Sequence, residues 1–234
     1  MPTDDLVVEA MLDMADVHEK DVLYDLGCGD GRIVVAAAME REARAVGIDM
    51  DPMRIEEARD FAYMVGVEHL VEFIQGDLLE ADFSEATVLT LYLLPTINAQ
   101  LRPRILRELK PGTRIIANSF NMGEWKADQR RAVGGVYIYK WIVPALVEGT
   151  WKWRTADGKL YCVDLQQKYQ KLSGNAWVDN QPAELVKATL SGTQLVLEIL
   201  EQGAEASEVF ISQHKGKKRK TEAEDINDLA FVKR

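Results

Sequence analysis

The segment Asp25-Leu26-Gly27-Cys28-Gly29-Asp30-Gly31 sets an aspartate and three glycines two residues apart, between two apolar runs. A strand that runs into such a loop and then into a helix brings main chain close to a ligand. Glycine removes the side chains, and the helix start presents amide donors. The spacing narrows the ligand. A phosphate loop of the GxxxxGK[ST] type is absent, and a dinucleotide GxGxxG fingerprint counted from Gly27 and Gly29 needs a glycine where Arg32 stands. We read Arg32 as a surface residue at a helix start. Asp49 ends a second apolar run, placed to accept hydrogen bonds from ribose hydroxyls, although nicotinamide enzymes also want an acid there. Asp77 follows a third run in Gly76-Asp77-Leu78. An acid after each of three consecutive strands is more specific than any one of them, since a single loop carboxylate commonly serves only its own turn.

These residues need a frame. Thr3 is expected to cap a first helix, with Asp4 and Asp5 near its positive end and Leu6, Ala10, Met11 and Met14 at helical spacing. Val22 to Leu26 reads as a buried strand, Arg32 to about Arg41 as a helix, and Ala45 to Asp49 as a second strand. Asp51-Pro52 opens a helix that carries Ile55, Ala58 and Ala62 and ends near Gly66. Val71 to Ile74 and Ala86 to Leu93 are the next strands. Leu101 to Leu109 is a helix stopped by Pro111-Gly112, and Thr113 to Phe120 is a fifth strand. Alternating strands and helices predict an α/β fold, a doubly wound and mostly parallel sheet with helices on both faces. Ligands of such sheets sit at the carboxyl ends of the strands, beside the topological switch point.

The pattern changes after about residue 134. Val136 to Tyr139 reads as a strand closing the sheet edge. Beyond Pro144 there is no helical period. Trp151 and Trp153 share a strand face, Asp157-Gly158 marks a turn, and Tyr161, Val163, Leu165, Gln167 and Tyr169 alternate with mostly polar neighbours. Leu195, Leu197 and Ile199 repeat the alternation after Ser191-Gly192, as do Val209 and Ile211, and Leu229 to Val232 is expected to form a last strand. We therefore expect two domains, residues 1–143 and an appended antiparallel β domain over 144–234.

The D-x-G-x-G-x-G order resembles motif I of the seven-strand, Rossmann-like methyltransferases that use S-adenosyl-L-methionine (SAM). Residues Thr3 to Tyr139 resemble one branch of them. It comprises the archaeal broad-specificity protein lysine methyltransferase, its mitochondrial ATP-synthase-modifying relatives and, more distantly, the non-SET histone lysine methyltransferases. The likeness is carried by Val7-Val8-Glu9-Ala10-Met11-Leu12, Tyr24 to Ile33, Ala45 to Asp49, Glu85-Ala86-Thr87-Val88, Leu91-Tyr92-Leu93-Leu94 and Leu106 to Arg114. It implies SAM as cofactor, S-adenosyl-L-homocysteine (SAH) as product, and cofactor contacts from Thr3, Asp25, Gly27, Gly29, Gly31, Asp49, Met50, Asp77 and Leu78. Asp77 would accept from the adenine amino group, with its apolar neighbour against the ring. The family's aromatic-Val-Pro lead-in is reduced to Pro2-Thr3, so we expect a shortened lid or a displaced start. The β domain lies outside this resemblance.

Methyl transfer from a sulfonium is an in-line displacement in which the protein binds and aligns, so a dedicated acid or base is optional and none is assigned. A lysine nucleophile must lose its proton, which an apolar, aromatic-lined pocket favours. Tyr92, Phe120 and Trp125 are the pocket candidates, with packing as their competing role. We read Asn98 as a helix cap. Leu94-Pro95-Thr96 stands where methylases of adenine amino groups and glutamine amides carry Asn- or Asp-Pro-Pro-aromatic, so neither activity is suggested.

Composition sets outer limits. A net charge of -10 over 234 residues disfavours a broad nucleic-acid surface. Cys28 and Cys162 form no CxxC pair, and His18, His69 and His214 are scattered, so no metal site is expected. Cys28 reads as packing in the glycine loop. No apolar run is long enough for a bilayer and no secretory leader is evident, which leads us to expect a cytoplasmic protein. The basic run Lys215 to Lys220 reads as a solvated turn. Oligomeric state is not legible. Four readings stay open: a methyltransferase acting on an amine such as a protein lysine, one acting on a small molecule that the β domain helps enclose, a SAM-binding interaction protein without catalysis, and a nicotinamide oxidoreductase.

Overall fold

The computed structural model describes residues 2–214 and the two-residue strand 232–233. The chain divides into two compact units, residues 1–109 with 113–143, and residues 110–112 with 144–234. The basic run at 215–220 and residues 229–231 lie outside the described residues.

In the first unit helix α1 (Asp5–Ala15) precedes β1 (Val22–Leu26), α2 (Arg32–Arg41), β2 (Arg44–Asp49), α3 (Pro52–Val65), β3 (Val71–Gln75), β4 (Val88–Leu91), α4 (Pro95–Glu108), β5 (Arg114–Asn118), β6 (Gln129–Val133) and β7 (Val136–Ile142). The sheet order is β3-β2-β1-β4-β5-β7-β6. Strands β1 to β5 run parallel, and β7 and β6 add antiparallel hairpin pairing. The doubly wound α/β fold with an antiparallel second unit is as expected. The order reverses between β2-β1 and β4, which puts the switch point at the end of β1, where the glycine loop begins.

Local chemistry sets the element ends. Asp4, not Thr3, caps α1, its carboxylate accepting from Leu6 N–H at 3.0 Å. The buried stripe of α1 is Val7, Val8, Ala10, Met11, Leu12 and Ala15, which includes the expected Ala10 and Met11, while Leu6 is exposed. Only the first expected position, Leu6, falls outside the stripe, and Met14 is half-buried at its other end. Asp51 caps α3 in the same way, with Pro52 in its first turn and Gly66 in the left-handed conformation at its end. Helix α4 begins at Pro95, six residues before the expected start, because proline is preorganised for a first helical turn. Strand β5 ends at Asn118, and Ser119 turns the chain with a φ of 64°. The outermost strand is β6, not β7; its nearly all-exposed Gln-Arg-Arg-Ala pattern carries no apolar signal.

A buried polar knot closes the end of the sheet away from the loop. Asp21, 3% exposed, accepts from the Thr87 hydroxyl at 2.6 Å and pairs with Arg114, whose other nitrogen reaches the Ala15 and Asp16 carbonyls. Replacing Arg114 with alanine strands a buried carboxylate. It is expected to lower stability by about 3 kcal/mol in chemical denaturation. A loss below about 1 kcal/mol would mean the knot is solvated.

The second unit is a meander of β8 (Gly149–Arg154), β9 (Leu160–Lys168), β10 (Lys171–Val178), β11 (Gln181–Ser191), β12 (Gln194–Leu200), β13 (Glu208–Gln213) and β14 (Val232–Lys233), each paired antiparallel with its chain neighbour. Its core includes Trp151, Trp153, Tyr161, Val163, Leu165, Leu195, Leu197 and Ile199. On β13 the buried side chains are Phe210 and Ser212 rather than Val209 and Ile211. Pairing Leu197 with Phe210 and Leu195 with Ser212 decides this, since paired residues share a sheet face. Among the described residues no helix is long and apolar enough to cross a membrane, and no group of ligands fits a metal ion.

Candidate active site

The glycine loop is tied to the neighbouring strand rather than left open. Gly27 and Cys28 N–H groups both donate to the Ile48 carbonyl, at 2.8 and 3.0 Å, and Gly31 N–H donates to the Cys28 carbonyl. Gly29 N–H donates to Asp49 Oδ2 at 2.9 Å, and Asp49 Oδ1 accepts from Asp51 N–H at 3.0 Å. Four loop amides expected to face a ligand are thus bonded within the protein, and the glycines act mainly through space. At Gly31 (φ 77°) a Cβ would meet Ala58 and Phe73 within 3 Å, so the helix start packs against α3 and β3. At Gly29 (φ 54°) it would meet nothing within 4 Å, because that side of the loop faces open space.

The open space is a cleft of about 250 Å³. Pro2, Thr3, Asp25, Arg32, Arg54 and Tyr92 line it together with the glycine loop. Arg32 is not the plain surface residue its place at a helix start suggested. Its guanidinium takes Asp30 through two nitrogens at 3.0 and 2.6 Å, and donates to the Thr3 carbonyl at 2.6 Å. That bond holds the N-terminal segment against the loop, and Thr3 is 5% exposed. Arg32 keeps the Asp30 carboxyl below its ordinary range.

Asp25 is the unbalanced charge. It is 3% exposed, accepts from the Thr90 hydroxyl at 2.8 Å, and lines the cleft. Burial pushes its pKa up to about 7 against the Thr90 bond, with the Asp49 and Asp30 charges adding to the rise. Cys28 is buried, and the same desolvation raises its thiol far above neutrality, so it packs rather than attacks.

Asp49 and Asp77 come together at adjacent strand ends, where Gly76 N–H donates to the Asp49 carbonyl at 2.9 Å. Neither lines the cleft, and Met50 beside them is 64% exposed. Asp77 has a turn role of its own: its carboxylate accepts from Leu79 N–H at 2.8 Å. Arg104 of α4 staples that turn. It donates to the carbonyls of Leu78, Leu79 and Ala81, pairs with Glu108 and stacks over Phe83. Nothing in the sequence singled it out beyond its being a helix arginine inside an apolar frame.

Tyr92, which lines the cleft, stacks with Phe120, with ring centroids 6.3 Å apart and 22° between planes. Asn98 does not cap α4. It is fully buried and its amide donates to the Phe120 and Asn121 carbonyls at 3.4 Å, clamping the loop that carries Phe120. Trp125 is fully buried against Trp141 at 6.2 Å and its carbonyl accepts from the Trp141 indole, so its place is in packing.

The ANTKMT methyltransferase domain model matches residues 25–129, inside the first unit. A protein-lysine N-methyltransferase of Saccharolobus islandicus is 42% identical over 59% of this chain and 91% of its own length. A lysine N-methyltransferase of Mus musculus named for ATP synthase is 33% identical over 50% of this chain and 47% of its own length. A crystal structure described as an RNA methyltransferase from Salinibacter ruber, in complex with SAH, superposes with a TM-score of 0.62 at 52% identity, over 63% of this chain and 96% of that one.

Proposed function

Because the chain belongs to the family of SAM-dependent methyltransferases that includes the archaeal protein-lysine N-methyltransferase, we propose that its methyl acceptor is the side-chain amine of a protein lysine. The observation that carries the cofactor side is the cleft itself. A buried carboxylate at its wall and an open face at Gly29, with the acid that ends β2 behind the loop and bonded to Gly29 N–H, fit a cationic nucleoside. We assign Asp25 to the charge of the methionine portion, Asp49 to the ribose hydroxyls, Asp77 and Leu78 to the adenine, and Thr3 with Arg32 to covering the site.

SAM supplies a methyl group already activated on sulfonium. The chain's task is to bring a neutral amine in line with it and keep water out. Stacked Tyr92 and Phe120 offer an apolar wall that lowers the cost of deprotonating lysine, and their faces attract the cationic amine on arrival. No side chain is assigned as general base.

The test is mass spectrometry of a protein extract incubated with the chain and SAM carrying a heavy methyl group. Methyl-lysine in protein is expected. Label only in RNA would favour the activity named for the Salinibacter relative, which the net charge of -10 opposes. Label only in small molecules would favour an enclosed metabolite. SAH binding without any label would mark a binding module.

Arg104 gives a further prediction within this reading. Arg104→Met removes the bonds that hold the 78–81 turn, and is expected to weaken SAH binding about tenfold, or ~1.4 kcal/mol. Unchanged affinity in calorimetry would remove the adenine role from Asp77.

A further inference from the structure

Charge is divided unevenly along the first 143 residues. Residues 1–100 hold 22 Asp and Glu against 6 Lys and Arg, while residues 101–143 hold 3 against 9. The basic portion includes the end of the sheet beyond β5. There β6 pairs with β7 alone among the described strands, and no described strand pairs with its other edge. Four of its five residues are exposed, including Arg130 and Arg131, whose side chains leave opposite faces of the strand. Arg130 lies over the Tyr137 ring at 4.5 Å, and Tyr137 continues into Tyr139 on the same face of β7. Gln129, Arg130 and Arg131 together border a depression shared with Asp13 and Met14 of α1.

Charged edge residues often only guard a strand against unwanted pairing. Direction and neighbours argue for more here. β6 is antiparallel to β7, which is antiparallel to β5, so β6 runs parallel to β5 and its Val133 end lies at the cofactor end of the sheet. The edge is two strand spacings from β5, roughly 10 Å. An extended chain leaving that edge needs about four residues to reach the end of β5. Tyr137, 46% exposed beneath Arg130, forms a shelf that a guarded edge does not require.

We propose that the β6 edge docks an extended, acidic segment of the methyl-accepting protein as an added strand. Its carboxylates would meet Arg130 on one face and Arg131 on the other, while its lysine reaches toward Tyr92. This inference rests on the lysine reading above and names the sequence character of its substrate.

The test uses the full chain, SAM with a labelled methyl group, and three synthetic peptides with one central lysine flanked by Asp and Glu, by Ser and Gly, or by Arg. The acidic peptide is expected to be modified with a kcat/KM at least tenfold above the arginine-flanked one, mainly through KM, with the gap shrinking at high salt. The double variant Arg130→Glu with Arg131→Glu is expected to bind SAH unchanged and to invert the preference. A merely structural role for the two arginines cannot produce inversion. Equal rates on the three peptides, or a preference untouched by the double variant, would overturn the inference. Methyl-lysine in the protein extract with no peptide modified overturns the extended-segment docking and leaves the lysine reading intact. No methyl-lysine in either sinks both.

Discussion

Asp49→Ala is expected to weaken SAH binding by about 2–3 kcal/mol, or roughly 30- to 150-fold in Kd. The carboxylate has two tasks, and the substitution removes both. One is the proposed acceptance from ribose hydroxyls. The other is visible: Oδ2 holds Gly29 N–H and Oδ1 holds Asp51 N–H. Loss of the first takes away a contact, and loss of the second frees the loop that shapes the cleft. Asp49→Asn separates them. It keeps an acceptor for one amide but brings a donor where the other was accepted, so a loss of about tenfold is expected. Calorimetric titration of the three proteins reads the series directly. A loss below threefold for Asp49→Ala would put the ribose elsewhere.

The second large effect concerns pH. The Asp25 pKa is about 7 in the fold, against about 3.9 in an unfolded chain. The protonated form is therefore the one that the fold favours. The stability contributed by this group is complete below about pH 4 and is lost as pH rises through 7, by at most about 4 kcal/mol. A cation bound beside Asp25 reverses the preference, because it selects the ionised carboxylate. SAM affinity is then expected to rise about fivefold from pH 6 to pH 7, to reach about tenfold by pH 8, and to level off above that. Binding at pH 6 should release nearly one proton, measurable by titration in buffers of different ionisation enthalpy. Asp25→Asn keeps the size and removes the charge. It should bind weakly at every pH, with no proton release. An affinity that is flat between pH 6 and 8 in the unmodified chain would mean that Asp25 does not face the cofactor's charge.

What could be read beforehand was local. The glycine loop, the three acids and the β1 to β5 strands announce themselves within a few residues, because each depends on its own backbone or its own apolar run. The linking residues act across long stretches of chain and leave no such trace. Asn98 clamps a loop 22 residues on, Arg104 staples a turn 25 residues back, and Arg114 reaches 93 residues back to Asp21. Strand β11 escaped notice because a register shift between Leu185 and Lys187 breaks the two-residue period. Strand β10 hid behind polar residues, although Asp179 and Asn180, both with positive φ, are a hairpin signal. The face of β13 was misread because its partner strand, not its own composition, decides which side is buried.

The pairing order also bears on how the chain is made. In the second unit every strand meets the strand just before it, so each contact closes a short loop and can form as the chain emerges. The first unit has no such luxury. Strand β1 needs β4, some 65 residues later, and β5 needs β7. At synthesis rates of roughly 5–20 residues per second, an apolar β1 edge stays uncovered for several seconds. The glycine loop hangs from that strand. Its own bonds reach only as far as Ile48 and Asp49, but the cleft beside it is completed late, when Thr90 and Tyr92 have been added and β4 can close on β1.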